Sequence, residues 1–232
     1  MNIRKNIPNA ITSLNLLSGA LSLVFSLYLK QPHIAVWFIV AAAVFDFFDG
    51  LVARMLHVVS PIGKELDSLA DVISFGVAPA VLIFAAFAPA ADSSSELLLC
   101  LPILITSVFA GIRLAKFNVD TRQATSFLGL PVPSNALFWI GFFALGTSYG
   151  YFSRPVAVDI PVFLMWFFTI LMSCLMVSEV PMFSLKVKNF GWRGNERQYL
   201  LILSALVFFL LFGWGGFAPT IIVYVFLSLL KA

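Results

Sequence analysis

Charge is what this chain of 232 residues has least of: 11% of them are charged, where a soluble domain carries about 25%. With 61% hydrophobic residues and a mean hydropathy of +1.00, a single water-soluble core is excluded. Cysteine is nearly absent as well. Cys100 and Cys174 lie in apolar runs, away from any second cysteine or histidine at ligand spacing, so they read as packing or lipid-facing residues. Internal repeats and low-complexity stretches are missing, and no nucleic-acid partner is expected. A basic start precedes an apolar run that continues too far, without a small-residue cleavage pattern, so no cleavable leader is expected.

What the chain does have is long apolar runs, several near the roughly 20 residues that span a bilayer. Eight are read, at about 11–29, 33–56, 67–88, 96–115, 132–152, 157–177, 198–213 and 216–230. The expected fold is an all-α, polytopic membrane bundle of about eight helices. It forms one domain over 1–232, with the last two helices, 198–230, peripheral. Gly213-Trp214-Gly215-Gly216 reads as a tight turn or as a kink in one long helix. A cytoplasmic N-terminus places 12 basic residues inside, namely Arg4, Lys5, Arg54, Lys64, Arg113, Lys116, Arg122, Lys186, Lys188, Arg193, Arg197 and Lys231. Only Lys30 and Arg154 then fall outside, as the positive-inside rule requires. The basic stretch 178–197 reads as an interfacial loop against anionic headgroups. The many phenylalanines read as lipid-facing bulk, and Gly146 and Gly150 as a GxxxG packing face.

Against this background one stretch stands out. Residues 46–71 read DFFDGLVARMLHVVSPIGKELDSLAD and fit D-x2-D-G-x2-A-R-x8-G-x3-D-x3-D without a gap. Ionisable residues at membrane depth are costly and mark function. Asp46, Asp49, Gly50 and Ala53 share one helix face, and Gly63, Asp67 and Asp71 share another. The segment between them is long enough for a reversal, with Pro61 suited to open the second helix. His57 falls in this reversal and reads as a solvated loop histidine. Two antiparallel helices then aim four carboxylates at one another near the cytoplasmic surface. Without cations they repel, and oxygen donors without histidine or cysteine suit hard ions: Mg²⁺, Mn²⁺ or Ca²⁺. Two such ions on bridging carboxylates make a clamp for displacement at phosphorus. Gly50, Ala53 and Gly63 leave room for a nucleotide along the helix backbone, and Arg54 can neutralise phosphate. Two other readings are open: buried ion pairs that fix helix packing, and a divalent-cation transport path.

The pattern resembles that of the CDP-alcohol phosphotransferases, and all eight of its fixed positions are met by Asp46, Asp49, Gly50, Ala53, Arg54, Gly63, Asp67 and Asp71. Within that family the serine-accepting members are most similar. The similar stretches are Pro8 to Gly19, Gly63 to Pro79, Arg113 to Asn118 and Phe127 to Pro133, with Lys116 standing where arginine is frequent.

The resemblance implies a membrane enzyme that transfers a phosphatidyl group from CDP-diacylglycerol to L-serine and releases CMP. It implies two divalent ions, Mg²⁺ or Mn²⁺ with Ca²⁺ as a candidate at one site, held by Asp46, Asp49, Asp67 and Asp71. Asp71 is the implied base, and Asp49, Gly50, Ala53, Arg54 and Gly63 the implied nucleotide contacts. A homodimer in a bacterial inner membrane, with the site facing the cytoplasm, is implied too. Asn9 and Thr12 are candidates for further nucleotide contacts or for capping a helix. Arg113, Lys116 and Asn118 are candidates for the serine carboxylate or the lipid phosphate. Glycerol phosphate or inositol phosphate as acceptor, or an archaeal ether lipid as donor, are the alternatives.

Overall fold

The computed structural model describes residues 3–58, 60–91, 93–120, 127–153, 160–183, 191–192 and 194–230. Arg122, Arg154, Lys186, Lys188, Arg193 and Lys231, used above for orientation, lie outside them, as does much of the 178–197 stretch. Each of the eight apolar segments falls on helix. Helices α1 (Ile3–Leu27) and α2 (Pro32–Met55) are joined by a short turn. The third segment is α3 (Pro61–Asp71), a π-helical turn at Val72–Val77, and α4 (Ala78–Phe87). The fourth is α5 (Ser94–Cys100) and α6 (Ile105–Val119), and α7 (Val132–Ser148), α8 (Ile160–Val177), α9 (Glu196–Phe212) and α10 (Phe217–Leu229) follow. Among the described residues five helical stretches are long and apolar enough to cross a membrane: Asn6–Leu27, Pro32–Met55, Pro61–Phe87, Ser94–Val119 and Glu196–Leu229, the last counted through its turn at Gly213–Gly216.

Local chemistry explains the boundaries near the motif. Ser60 caps α3, its hydroxyl accepting the Gly63 N–H at 3.1 Å, with Pro61 in the first helical position. The π turn precedes Pro79, which brings no N–H and crowds the carbonyl four residues back. The backbone there answers with a wider ring: the Ala78 N–H bonds the Ile73 carbonyl, five residues back. Ser74 then donates to the Asn15 carbonyl of α1 at 3.0 Å. Ser107 of α6 donates to the Gly76 carbonyl at 3.2 Å. A Cβ at Gly76 would sit 2.8 Å from Ala110 Cβ, so glycine there is what lets α6 lie against the π turn.

Helix α4 runs through the middle, with Ala78, Leu82, Ile83 and Phe87 buried against Ile39 of α2 and Phe138 and Trp139 of α7. Helix α1 begins at Ile3, well before the apolar run at residue 11, because hydropathy reports only its apolar part. Asn9 and Thr12 are therefore interior helical residues and cap nothing. The phenylalanines are divided rather than wholly lipid-facing. Phe75, Phe87, Phe138 and Phe143 are core residues, whereas Phe47, Phe163 and Phe226 are exposed. Nor do Gly146 and Gly150 form one packing face. Gly150 lies beyond α7 in the left-handed region, and Gly146 lies against the Phe152 ring.

At Gly213–Gly216 the chain reverses. A Cβ on Gly216 would lie 2.6 Å from the Phe208 carbonyl carbon, whereas eight residues of straight helix span about 12 Å. Of the two C-terminal helices, α9 shows Leu206, Leu210 and Leu211 outward, while α10 buries Ala218, Ile221 and Tyr224. Gly141 of α7 is the contact point, with 3.0 Å from its missing Cβ to Ala218 Cβ.

Gly141→Leu is expected to push α10 off α7 and to cost about 1–3 kcal/mol. Gly111→Ala, with open space around the added carbon, should be neutral or stabilising by about 0.5–1 kcal/mol. Thermal unfolding of the two variants in detergent tests the contrast.

Candidate active site

Antiparallel packing of α1 and α2, with α3 folded back beside them, brings the start of α1, the end of α2 and the start of α3 to one place. Asp46 and Asp49 of α2 and Asp67 of α3 meet there, each offering a carboxylate oxygen within 4.8 Å of the others. Asp49 is 6% exposed, and its Oδ2 is buried without a hydrogen-bond partner. Thr12 lies within reach of both Asp49 and the Pro8 carbonyl, and its single proton serves the carbonyl at 3.0 Å. Among the described residues no lysine or arginine forms an ion pair with these three carboxylates. Lys64 instead donates to the Asn118 carbonyl at 3.1 Å. The ion-pair reading of the motif therefore has no partner among the described residues.

The donor set fits a hard divalent cation. Six oxygens around Mg²⁺ at about 2.1 Å span about 4.2 Å across the ion, so the three aspartates need only a small side-chain adjustment to close on one. Asp71 stands outside this trio, about 6 Å further along the same helical line from Asp67. It is 9% exposed, and its Oδ1 accepts the Asn15 side-chain N–H at 3.3 Å. Asn15 is wholly buried, with its own Oδ1 unpartnered. It was not singled out from the sequence, although Thr12, Asn15, Gly19 and Ser22 alternate by three and four residues along one face of α1, a polar line in an apolar helix.

Beside the trio opens a cavity of about 280 Å³ lined by Asn9, Thr12, Gly50, Ala53 and Gly63, along with Asp49 and Asp67. All the nucleotide candidates line it except Arg54, whose Nη2 folds back to 3.9 Å from the missing Gly50 Cβ. The two glycines serve differently. Among the described residues outside the helix backbone, that guanidinium atom alone comes within 4 Å of a Cβ at Gly50, which keeps the cavity open. A Cβ at Gly63 would lie 2.7 Å from Asn9 Oδ1 and 3.2 Å from Ser60 Cβ, so Gly63 lets α1 and α3 touch.

The candidates on α6 separate. Arg113 and Lys116 line a second cavity of about 220 Å³. Arg113 is 7% exposed and sits 5.3 Å over the Phe117 ring. Asn118 does not line that cavity. Its side chain donates to Ser68 of α3 at 2.9 Å, tying α6 to the aspartate helix. A roomier apolar cavity of about 490 Å³, with Ser26, Lys30 and His33 in its wall, lies at the opposite ends of α1 and α2.

A family model described as CDP-alcohol phosphatidyltransferase matches residues 5–175. Several curated relatives carry the name CDP-diacylglycerol–serine O-phosphatidyltransferase. The one from Mycobacterium leprae is 36% identical over 151 residues, 62% of this chain and 48% of its own length. That from Bacillus subtilis is 39% identical over 127 residues, 55% of this chain and 69% of the relative. That from Helicobacter pylori is 33% identical over 205 residues, 87% of this chain and 81% of the relative. The match thus spans about half the length of the mycobacterial relative.

Replacing a single ligand should weaken cation binding by more than the roughly 10–100-fold that loss of an outer-shell partner brings. Asp46→Asn, Asp49→Asn and Asp67→Asn are each expected to reduce Mn²⁺ affinity at least tenfold on that ground, with the helical circular-dichroism signal retained. Glu65→Gln, on the exposed side of α3, should bind as the parent does. Calorimetric titration of Mn²⁺ into detergent-solubilised protein distinguishes the two groups.

Proposed function

The chain belongs to the CDP-alcohol phosphatidyltransferase family, and from that premise we propose that it transfers a phosphatidyl group from CDP-diacylglycerol to L-serine, giving phosphatidylserine and CMP. The observation that carries the reading is the meeting of Asp46, Asp49 and Asp67 at the mouth of a cavity walled by Asn9, Thr12, Gly50, Ala53 and Gly63. Asp46, Asp49, Asp67 and Asp71 are the residues to hold two divalent ions, Mg²⁺ or Mn²⁺, which when bound neutralise charge at the diphosphate.

In this scheme the cytidine end lies against Gly50 and Ala53, where only the movable Arg54 guanidinium comes near. The Asp71 carboxylate, oriented by Asn15, accepts the proton of the serine hydroxyl. The serine oxygen forms a bond to the phosphorus bearing diacylglycerol, and the bond from that phosphorus to the CMP oxygen breaks. Arg54, folded over Gly50, is placed to approach the leaving phosphate. Arg113 and Lys116 take the serine carboxylate. The arginine is buried one helical turn beyond Ala110, which packs on Gly76 of the π turn that follows Asp71, so the carboxylate end of the acceptor is anchored near the group that receives its proton.

The excess of basic residues on one side supports a cytoplasmic N-terminus and a site facing the cytoplasm, with the eight apolar helical segments each crossing the membrane. A single catalytic domain over 1–232, placed in a bacterial inner membrane as a homodimer, completes the proposal. The donor then enters sideways from the inner leaflet, and serine from the cytosol.

The decisive experiment is CMP release by the purified protein with CDP-diacylglycerol and Mn²⁺ or Mg²⁺, each acceptor being added separately. Release is expected with L-serine, together with phosphatidylserine, and loss on the order of a hundredfold or more is expected in Asp71→Asn. Release with glycerol phosphate instead would overturn serine as acceptor. No release with any acceptor from folded, metal-loaded protein would overturn the enzyme reading. Arg113→Ala should raise the serine KM about tenfold or more with little change in that of CDP-diacylglycerol, and equal changes in both would remove Arg113 from the serine contact.

A further inference from the structure

The α6 cavity has walls of both signs. Arg113 and Lys116 line it together with Asp120 and Glu179. A phosphorylated alcohol or a lipid phosphate brings negative charge alone. It would gain from the two cations and be repelled by the two carboxylates. An α-amino acid carries an ammonium and a carboxylate on one carbon, and a mixed wall suits it on both sides.

The cavity is built rather than incidental. Arg113 is 93% buried, taking its 7% exposure, and its Nε has no hydrogen-bond partner. A guanidinium so placed is costly unless a ligand completes it. Lys116 commits one of its three ammonium protons to the Val177 carbonyl at 3.2 Å, which leaves donors for a ligand.

Glu179 is held from both sides. Before it, the Ser178 hydroxyl donates to the Leu175 carbonyl, closing α8 at 2.8 Å. After it, Val180 accepts the Gly129 N–H at 2.9 Å, and strand β2 (Pro181–Met182) pairs antiparallel with β1 (Phe127–Leu128). Gly129 has φ +74°, and a Cβ there would lie 2.8 Å from the Ser178 carbonyl oxygen. The turn before Glu179 is thus packed against a position suited to glycine, and its carboxylate issues from fixed backbone.

We propose that this cavity reads the acceptor as a zwitterion, with Glu179 and Asp120 taking the ammonium opposite Arg113 and Lys116, and that these two carboxylates turn away phosphorylated alcohols. This rests on the serine-transfer reading given above and adds to it the groups that recognise the amino end. It also states what excludes glycerol phosphate and inositol phosphate from a pocket that holds two cations.

The test compares three probes: L-serine, 3-hydroxypropionate, which is serine without its ammonium, and ethanolamine, which lacks the carboxylate. Each is measured as acceptor by CMP release, or as a competitive inhibitor where it is not turned over. Glu179→Gln is expected to raise the KM of L-serine about tenfold or more and to weaken ethanolamine in parallel. It should bind 3-hydroxypropionate at least as well as the parent does, since that probe carries negative charge alone and loses a repelling neighbour. Asp120→Asn should act in the same direction, and Glu179→Asp should restore part of the loss. Arg113→Ala should show the reverse pattern, harming 3-hydroxypropionate and sparing ethanolamine. A serine KM unchanged in both carboxylate variants would overturn the proposal, as would equal weakening of all three probes, which is the mark of a structural role. Parent protein that uses L-serine while both carboxylate variants are indifferent defeats this inference alone. Parent protein that releases no CMP with L-serine defeats the reading beneath it as well.

Discussion

Mutual repulsion of carboxylates inside an apolar bundle is the constraint on which the rest of the structure depends. Three of them lie within 4.8 Å of one another with no basic side chain paired to them among the described residues. Their own interaction drives α2 and α3 apart, so the helices must be held by contacts made elsewhere. Those contacts are identifiable. Ser60 caps α3, Gly63 admits Asn9 of α1, and Asn118 and Lys64 link α3 to α6. A bound cation would reverse the sign of the interaction and turn the site into a bond between helices. Stability and metal loading are coupled for that reason.

Much of this was legible in advance because helical spacing is a strong constraint. The repeat at 46, 49, 50 and 53, and that at 63, 67 and 71, could put their side chains on two facing surfaces in one way only, and Pro61 marked where the second surface began. Other features depend on contacts that have no local signature. The partnership of Asn15 with Asp71 spans 56 residues of sequence, and that of Asn118 with Ser68 spans 50. The two motif glycines look alike in a pattern, yet one keeps space open and the other lets two helices touch. Hydropathy saw α1 only from residue 11, since its first turns are polar and basic. Phenylalanine is equally at home in lipid and in a protein core, so composition alone could not divide Phe138 from Phe163.

The aspartate site and the α6 cavity are joined through the chain as well as through space. From Asp71 the backbone enters the π turn, whose Gly76 receives Ala110, and one helical turn beyond Ala110 stands Arg113. Asp71 and Arg113 thus take their relative position from one glycine contact and one serine hydrogen bond, Ser107 to Gly76. In the proposed reaction, a tolerance of a few tenths of an ångström at that contact is a tolerance on the approach of serine to Asp71.

The same π turn breaks the angular count of the helix in which it sits. One residue more per turn rotates everything that follows by about 100° relative to an unbroken helix. The face of α4 that meets the core is therefore not the continuation of the face that carries Asp67 and Asp71. Site-facing positions before the turn and core-facing positions after it form two separate phases along Pro61–Phe87 that meet at Val77. Substitutions that repack α4 against α2 and α7 are drawn from one phase, and the orientation of the aspartates belongs to the other.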